Sequence, residues 1–132
     1  MSNPHLAAVY EKAADVIRLN HHHKGDFYDG VATLNRERSQ VPVCSLGALS
    51  LALTGDPRPA AEFDDCDELY QDAVRFLSWR IQSAVVAEDP EERIADWNDQ
   101  SERTEAQVIR AFESAAKDIE FMFAAPALKA VA

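Results

Sequence analysis

Apolar residues along the chain fall into runs with a helical period, separated by polar, glycine-bearing or proline-bearing breaks. Between Pro4 and Asn20, Leu6, Val9, Tyr10, Ala13, Val16 and Ile17 recur at three- and four-residue spacing, one face of a helix. Asn3 suits the cap, Pro4 the first helical position and Gly25 the stop. Val43 to Leu53 predicts a short second helix ended by Gly55, with Leu46, Leu49, Ala52 and Leu53 as its apolar content. It is apolar nearly all round, so a central position is expected. Gly47 and Ala48 in its middle cost helix propensity, and small residues there predict a bulky neighbour at close range.

A third helix is expected from Asp67 to Ala87, with Tyr70, Ala73, Val74, Leu77, Ile81, Ala84 and Val85 facing inward. Phe76 and Trp79 widen that face or protrude from it. Asp89-Pro90-Glu91-Glu92 starts a short fourth helix ending near Trp97, and Asn98 to Arg103 read as a polar loop. The last helix has the strongest start signal. Thr104-Glu105-Ala106-Gln107 matches a capping box, and Val108, Ile109, Phe112, Ala115, Ala116, Ile119, Met122 and Phe123 then hold one face. Pro126 limits the helix, and residues 124–132 form an apolar tail that docks or frays.

Residues 26–42 carry no clear period. Asp29-Gly30 reads as a turn and Val41-Pro42-Val43 as extended, because proline disfavours helix in the residue before it. No repeat of 20–50 residues is visible. The pattern predicts an all-α fold, four to five helices around one core in a single domain of 132 residues, with room for a minor strand near Val41.

Charge changes the picture of possible partners. The net charge is −10, and it is unevenly placed. Residues 1–60 hold six acids and six bases, whereas residues 61–132 hold 17 acids and 7 bases. A surface of that sign repels phosphates, so nucleic-acid binding through a basic surface is excluded. A basic protein partner, or mimicry of a nucleic acid, is compatible with it. Many of these acids have an ordinary explanation: Asp64, Asp65, Asp67 and Glu68 stand at one predicted helix start, and Asp89, Glu91 and Glu92 at another, where they offset the positive end of the helix dipole.

Cys44 and Cys66 are too few for a disulfide framework, the N-terminus lacks the basic stretch and apolar run of a signal peptide, and no apolar segment approaches the ~18 residues needed to span a bilayer. A cytoplasmic protein with reduced thiols is expected. Walker-type, dinucleotide, paired-cysteine and EF-hand signatures are missing, so no cofactor is implied.

Three constellations could carry chemistry. Cys44 falls in the first turn of the predicted second helix, where unpaired N–H groups lower a thiol's pKa. All four histidines precede it, so a hydrolase or transferase would need a base earlier in the chain, for example His22, with Asn98 as the group orienting it. A small buried cysteine is the ordinary alternative. His21-His22-His23 is the candidate metal site. Three consecutive residues point about 100° apart on a helix, so they converge only if the helix has ended, with Asp26 or Asp29 completing a set. The ordinary alternative is a solvated helix end. Trp97-Asn98-Asp99 is the third, with Trp97 as core and the two polar residues tying down the loop that follows.

Two short elements support a resemblance. One is Cys-x-x-Gly-Ala-Leu, at Cys44, Gly47, Ala48 and Leu49. The other is Trp97-Asn98-Asp99 followed by Thr104 and Val108. With Ala13-Ala14 before Val16-Ile17 in the first helix, they make the chain resemble a family of small uncharacterised actinobacterial and actinophage proteins. That family often carries Gly-Trp after the first helix, where this chain has its histidine run. The resemblance implies no assigned activity. It implies that the two elements belong to one site or one packing unit.

The leading expectation is a protein-binding or regulatory accessory factor, phage-related in setting, with a homodimer left open. A Cys44-dependent enzyme and a metal site at His21–His23 are the alternatives. The two short elements also give a packing expectation: the Trp97 ring lies on Gly47 and Ala48, which brings Asn98 or Asp99 to the turn that carries Cys44.

Overall fold

The computed structural model describes residues 3–59, 67–81 and 89–131, without the side chains of Asp67 and residues 125–131. Among these residues are five α-helices: α1 (Leu6–Asn20), α2 (Ser45–Thr54), α3 (Asp67–Arg80), α4 (Pro90–Asp99) and α5 (Glu105–Val131). Short 3-10 turns occupy Ala32–Leu34 and Arg38–Gln40. The fold is all-α. The extended segment near Val41 forms no strand among the described residues. It makes only isolated bridges, from Val43 to His22 and to Tyr28. No helix among the described residues is long and apolar enough to cross a membrane.

α1 packs chiefly on α5 and then on α2, and α3 packs on α4. The interior of this arrangement is Leu6, Tyr10, Ala13, Ala14 and Ile17 of α1, Leu46, Ala48 and Leu49 of α2, and Tyr70, Val74 and Leu77 of α3. Ile94 and Trp97 of α4 and Val108, Phe112 and Ile119 of α5 complete it. Tyr10 anchors the centre. Its hydroxyl donates to the Ala73 carbonyl at 2.6 Å, and its ring lies 6.1 Å from Phe76 and 6.2 Å from Phe112. Burial drives the Tyr10 pKa upward, so the phenol remains a donor.

The helix starts follow their caps. Asp89 accepts the Glu91 N–H, with Pro90 at the first position of α4. At α5 the box is reciprocal: Gln107 N–H donates to Thr104 Oγ1 at 3.2 Å, and Thr104 N–H to Gln107 Oε1 at 3.0 Å.

Several boundaries differ from the sequence pattern. α1 begins two residues later than Pro4, although Asn3 Oδ1 accepts the His5 N–H in the turn before it. It ends at His21, in a backbone conformation with φ 78°, and Gly25 turns the chain four residues further on. On α1, Val16 packs half-buried against the core as its spacing requires, and Ala14, not expected there, is fully buried beside it. α2 starts at Ser45, which makes Cys44 its N-cap and not a member of its first turn. Asn98 and Asp99 are still helical. The continuation of the third helix to Ala87, with Ala84 and Val85, lies outside the described residues, as do Asp64, Asp65 and Cys66. Pro126 does not end α5, which runs to Val131. Met122 and Phe123, expected inside, are 46% and 45% exposed, because Ile119 is the last buried residue described on α5.

Candidate functional site

The residues singled out by the sequence meet where the segment 21–29 crosses the start of α2. That segment leaves α1 and runs beside residues 41–44. His23 N–H donates to Val43 O at 2.8 Å, Val43 N–H to His21 O at 3.1 Å, Cys44 N–H to Phe27 O at 3.0 Å, and Asp29 N–H to Pro42 O at 2.9 Å. The Cys-x-x-Gly spacing follows from this crossing. Cys44, as N-cap, donates to the Phe27 carbonyl. One turn later Gly47 faces the same oxygen, and a Cβ on Gly47 would lie 2.0 Å from it. The bulky neighbour of Gly47 is therefore the Phe27 backbone and not the Trp97 ring. Trp97 lines a shallow depression together with Leu77, Ile81 and Ala111, and the Arg103 guanidinium lies 4.2 Å from its ring centroid.

Asn98 does reach the start of α2, and it is the node of the site. It is 1% exposed. Its Oδ1 accepts three hydrogen bonds: from Ser45 N–H at 2.9 Å, Ser45 Oγ at 2.7 Å and His22 Nε2 at 2.8 Å. Its Nδ2 donates to His23 O at 3.1 Å and Asp99 Oδ1 at 2.9 Å. A backbone N–H can only donate, so the Ser45 contact fixes which end of the amide is oxygen. The same oxygen then requires His22 to carry a proton on Nε2. Burial lowers the His22 pKa, partly opposed by the Asn98 hydrogen bond.

The neighbours of Asn98 complete the fastening. Asp99 Oδ1 accepts Gly25 N–H at 3.0 Å, and Lys24 Nζ donates to Gln100 O at 2.6 Å. Glu105, in the first turn of α5, accepts His22 N–H at 3.0 Å and faces His21 Nδ1 at 3.1 Å. Glu105 thereby holds the backbone beside the positive-φ residue His21.

The helix start that makes Cys44 a candidate nucleophile is sealed. Ser45 N–H goes to Asn98, and Gly47 N–H goes to Cys44 Sγ at 3.3 Å. Burial is the dominant influence on the thiol and pushes its pKa up to about 12, against the lowering effect of the Gly47 N–H. No hydrogen bond joins Cys44 to His22, whose donor is committed to Asn98. The structure thus brings His22 and Asn98 together, with Ser45 as their third member, and holds Cys44 behind them. His21, His22 and His23 diverge: His21 faces Glu105, His22 faces Asn98, and His23 is tied through its backbone. Among the described residues no group of three or more His, Cys, Asp or Glu side chains stands close enough to hold a metal ion. No buried side-chain nitrogen or oxygen among them lacks a hydrogen-bond partner.

Ser45, Glu105 and Lys24 were not singled out by sequence reasoning. Ser45 gave one signal, a polar residue beside the N-cap of a mostly apolar helix. Glu105 was visible only as the acid inside the capping box.

A family model matches residues 1–118, which takes in α1 to α4, the whole of this site and the first half of α5. The chain belongs to DUF6197, a family of unknown function. No curated protein and no solved structure matches it. In this DUF6197 protein the Cys44–Gly47 and Trp97–Asp99 elements are physically joined through the Ser45–Asn98 contacts. The uncharged stretch 121–128 lies beyond the matched residues.

Proposed function

We propose that this DUF6197 protein is a protein-binding accessory factor whose docking face is the apolar surface between α3 and α5. The observation that carries this reading is the exposure of Trp79, 83%, beside Phe121, 69%. Phe76 and Met122 line the same shallow depression. A large aromatic left in water at a helix surface marks an interaction site more often than it marks chance, when it belongs to a contiguous patch. The polar centre at Asn98 supports the reading from the other side, because its hydrogen bonds are satisfied within the chain and the Cys44 thiol is held protonated. The centre then serves to fasten the segment 21–29 over α2.

A second reading is favoured by one observation on the opposite side of α5. Glu11 and Glu120 stand close enough for the contact with Glu120 to raise the Glu11 pKa; Asp15 and Glu113 line the same groove but are paired with Arg18, and Lys117 also lines it, so the uncompensated acidity is that of Glu11 and Glu120. Crowded carboxylates attract a basic protein surface, and that association weakens as salt screens it.

The resemblance to actinobacterial and actinophage proteins gives the setting for a test. A photoreactive phenylalanine analogue is placed at Phe121, or at Leu34 as an equally exposed control, in the chain expressed in an actinobacterial host. The reading expects a discrete adduct from position 121, absent from position 34 and lost when Trp79→Glu is added. Adducts that are identical from both positions, or absent from 121, would overturn it.

A further inference from the structure

We infer that the occupant of the α3–α5 face is a second copy of this chain, which makes the protein a two-fold homodimer. The inference rests on the docking-face reading above and names its partner.

Four observations converge on it. First, α5 outruns the helices it packs on. It has 27 residues against 15 in α1. At ~1.5 Å per residue that is roughly 40 Å of helix against roughly 22 Å. Phe121, Met122, Phe123 and Ala124 are all exposed, and four consecutive residues at about 100° steps point to every side of a helix. The helix has therefore left the body of the domain at this point. A helix apolar all round is stable in water only when surfaces close on it from more than one side.

Second, residues 121–128 contain no charged residue, in a chain whose net charge is −10. The charged groups at the root of the face cancel within the chain: Arg80 pairs with Asp118 and donates to Ser114, and Arg75 pairs with Asp72. This is a place where two acidic copies can meet without like charges opposing each other across the contact.

Third, the receptor and the insert are on one chain and adjoin each other. The depression formed by Phe76, Trp79 and Phe121 lies beside the stretch of α5 that projects. Two copies related by a two-fold axis across α5 would each lay the projecting helix on the other's Trp79. That is the reciprocal geometry of an isologous contact.

Fourth, the area is of the right order. Trp79, Phe121, Met122 and Phe123 at their observed exposures offer on the order of 500 Å² per chain, given ~150–250 Å² for a whole aromatic side chain. Two chains contribute roughly 1,000 Å², just under the range of about 1,200–2,000 Å² for a stable specific interface. The dimer is therefore weak to moderate in affinity, and its population depends on concentration.

Sedimentation equilibrium on the full chain, from low micromolar to submillimolar concentration and at low and high salt, tests this. The expected result is a concentration-dependent rise from 14.7 kDa toward twice that mass. The rise should be stronger at high salt, because screening relieves the repulsion between two −10 chains while the apolar contact is unaffected. Trp79→Glu and Phe121→Glu should each weaken the dimer by roughly tenfold or more, as removal of an interface anchor does. Both residues are exposed, so the core of each variant should stay folded: apart from fraying at the end of α5 its helical circular dichroism should persist, and at concentrations where the parent chain is monomeric its unfolding midpoint should match the parent's, while Leu34→Glu should leave the dimer intact. Monomer at every concentration, a dimer indifferent to both variants, or association that weakens with salt would each overturn the inference. If the chain is monomeric while Phe121 still cross-links to a different protein, the dimer falls and the docking face stands. If no adduct forms at Phe121 either, both fall.

Discussion

Asn98 Oδ1 accepts the Nε2–H of His22 at 2.8 Å while also accepting the backbone N–H of Ser45 at 2.9 Å. One amide oxygen thus joins the segment after α1 to the start of α2, from the end of α4. The arrangement resolves the tautomer of His22 and removes a free N–H from the α2 N-terminus in the same contact.

The worth of that node is measurable. Asn98→Ala leaves the Ser45 N–H and hydroxyl, the His22 Nε2–H and the His23 carbonyl without their partner. Buried groups stranded in this way cost about 1–3 kcal/mol each, with some relief from water, so a loss of about 3–5 kcal/mol is expected in chemical denaturation. Asn98→Asp keeps the acceptor but loses the donor to His23 and sets a second carboxylate beside Asp99. It should cost at least as much as the alanine, because a buried oxygen then faces the His23 carbonyl and Asp99 Oδ1.

Gly47 is required by a backbone atom. Gly47→Ala would put a Cβ 2.0 Å from Phe27 O, and the Cys44–Phe27 hydrogen bond keeps that oxygen from moving away. The expected loss is ~3 kcal/mol, the upper range for overpacking. Gly30, with nothing within 4 Å of its Cβ position, is the control, and Gly30→Ala should change stability by less than about 0.5 kcal/mol.

The capping box at α5 gives a smaller effect. Thr104→Ala removes the acceptor for the Gln107 N–H and should cost about 1 kcal/mol. An unchanged denaturation midpoint would mean that Glu105 and the contacts of the following turn hold this end without the cap.

The fold was legible from the sequence because the period holds along α1, α3, α4 and α5 and the caps agree at α4 and α5. Tyr10, Val74, Leu77, Phe112 and Ile119 are inside as their spacing requires. The ends were less legible. Cys44 reads as a helical residue because the apolar run begins at Val43, whereas its backbone is extended and its Sγ accepts the Gly47 N–H, which makes it the cap. The partner of Gly47 was not readable at all: side-chain size suggested a tryptophan, whereas the neighbour is a carbonyl from a segment with no pattern of its own. The meeting of Asn98 with the α2 start was inferable from the pairing of the two short elements, but its closure by Ser45 was not.

His22 gives the chain a pH dependence of defined sign. Its folded pKa is lowered from 6.5, chiefly by burial, so the unfolded chain takes up the proton more readily than the folded one. The contribution to stability is complete above pH 6.5 and is lost as pH falls through 6.5 toward the folded pKa. His22→Gln retains an N–H donor for Asn98 and does not titrate. Its denaturation midpoint should vary less with pH below 6.5 than that of the parent chain; equal slopes would assign the dependence to other groups.

The account as a whole holds that the Cys44–Asn98 centre is a closed fastening and that the chain acts through the surface of α3 and α5. The reactivity of Cys44 tests this most directly. In a Cys66→Ser background, labelling by a thiol reagent at neutral pH is followed as denaturant is raised. The account predicts almost no labelling in the native state, because the thiol is 6% exposed, accepts the Gly47 N–H and has its pKa pushed up to about 12. The rate should then rise in step with global unfolding. Labelling in native buffer at the rate of a free thiol would contradict it, and would mean that the thiol is an open nucleophile beside His22 and Asn98.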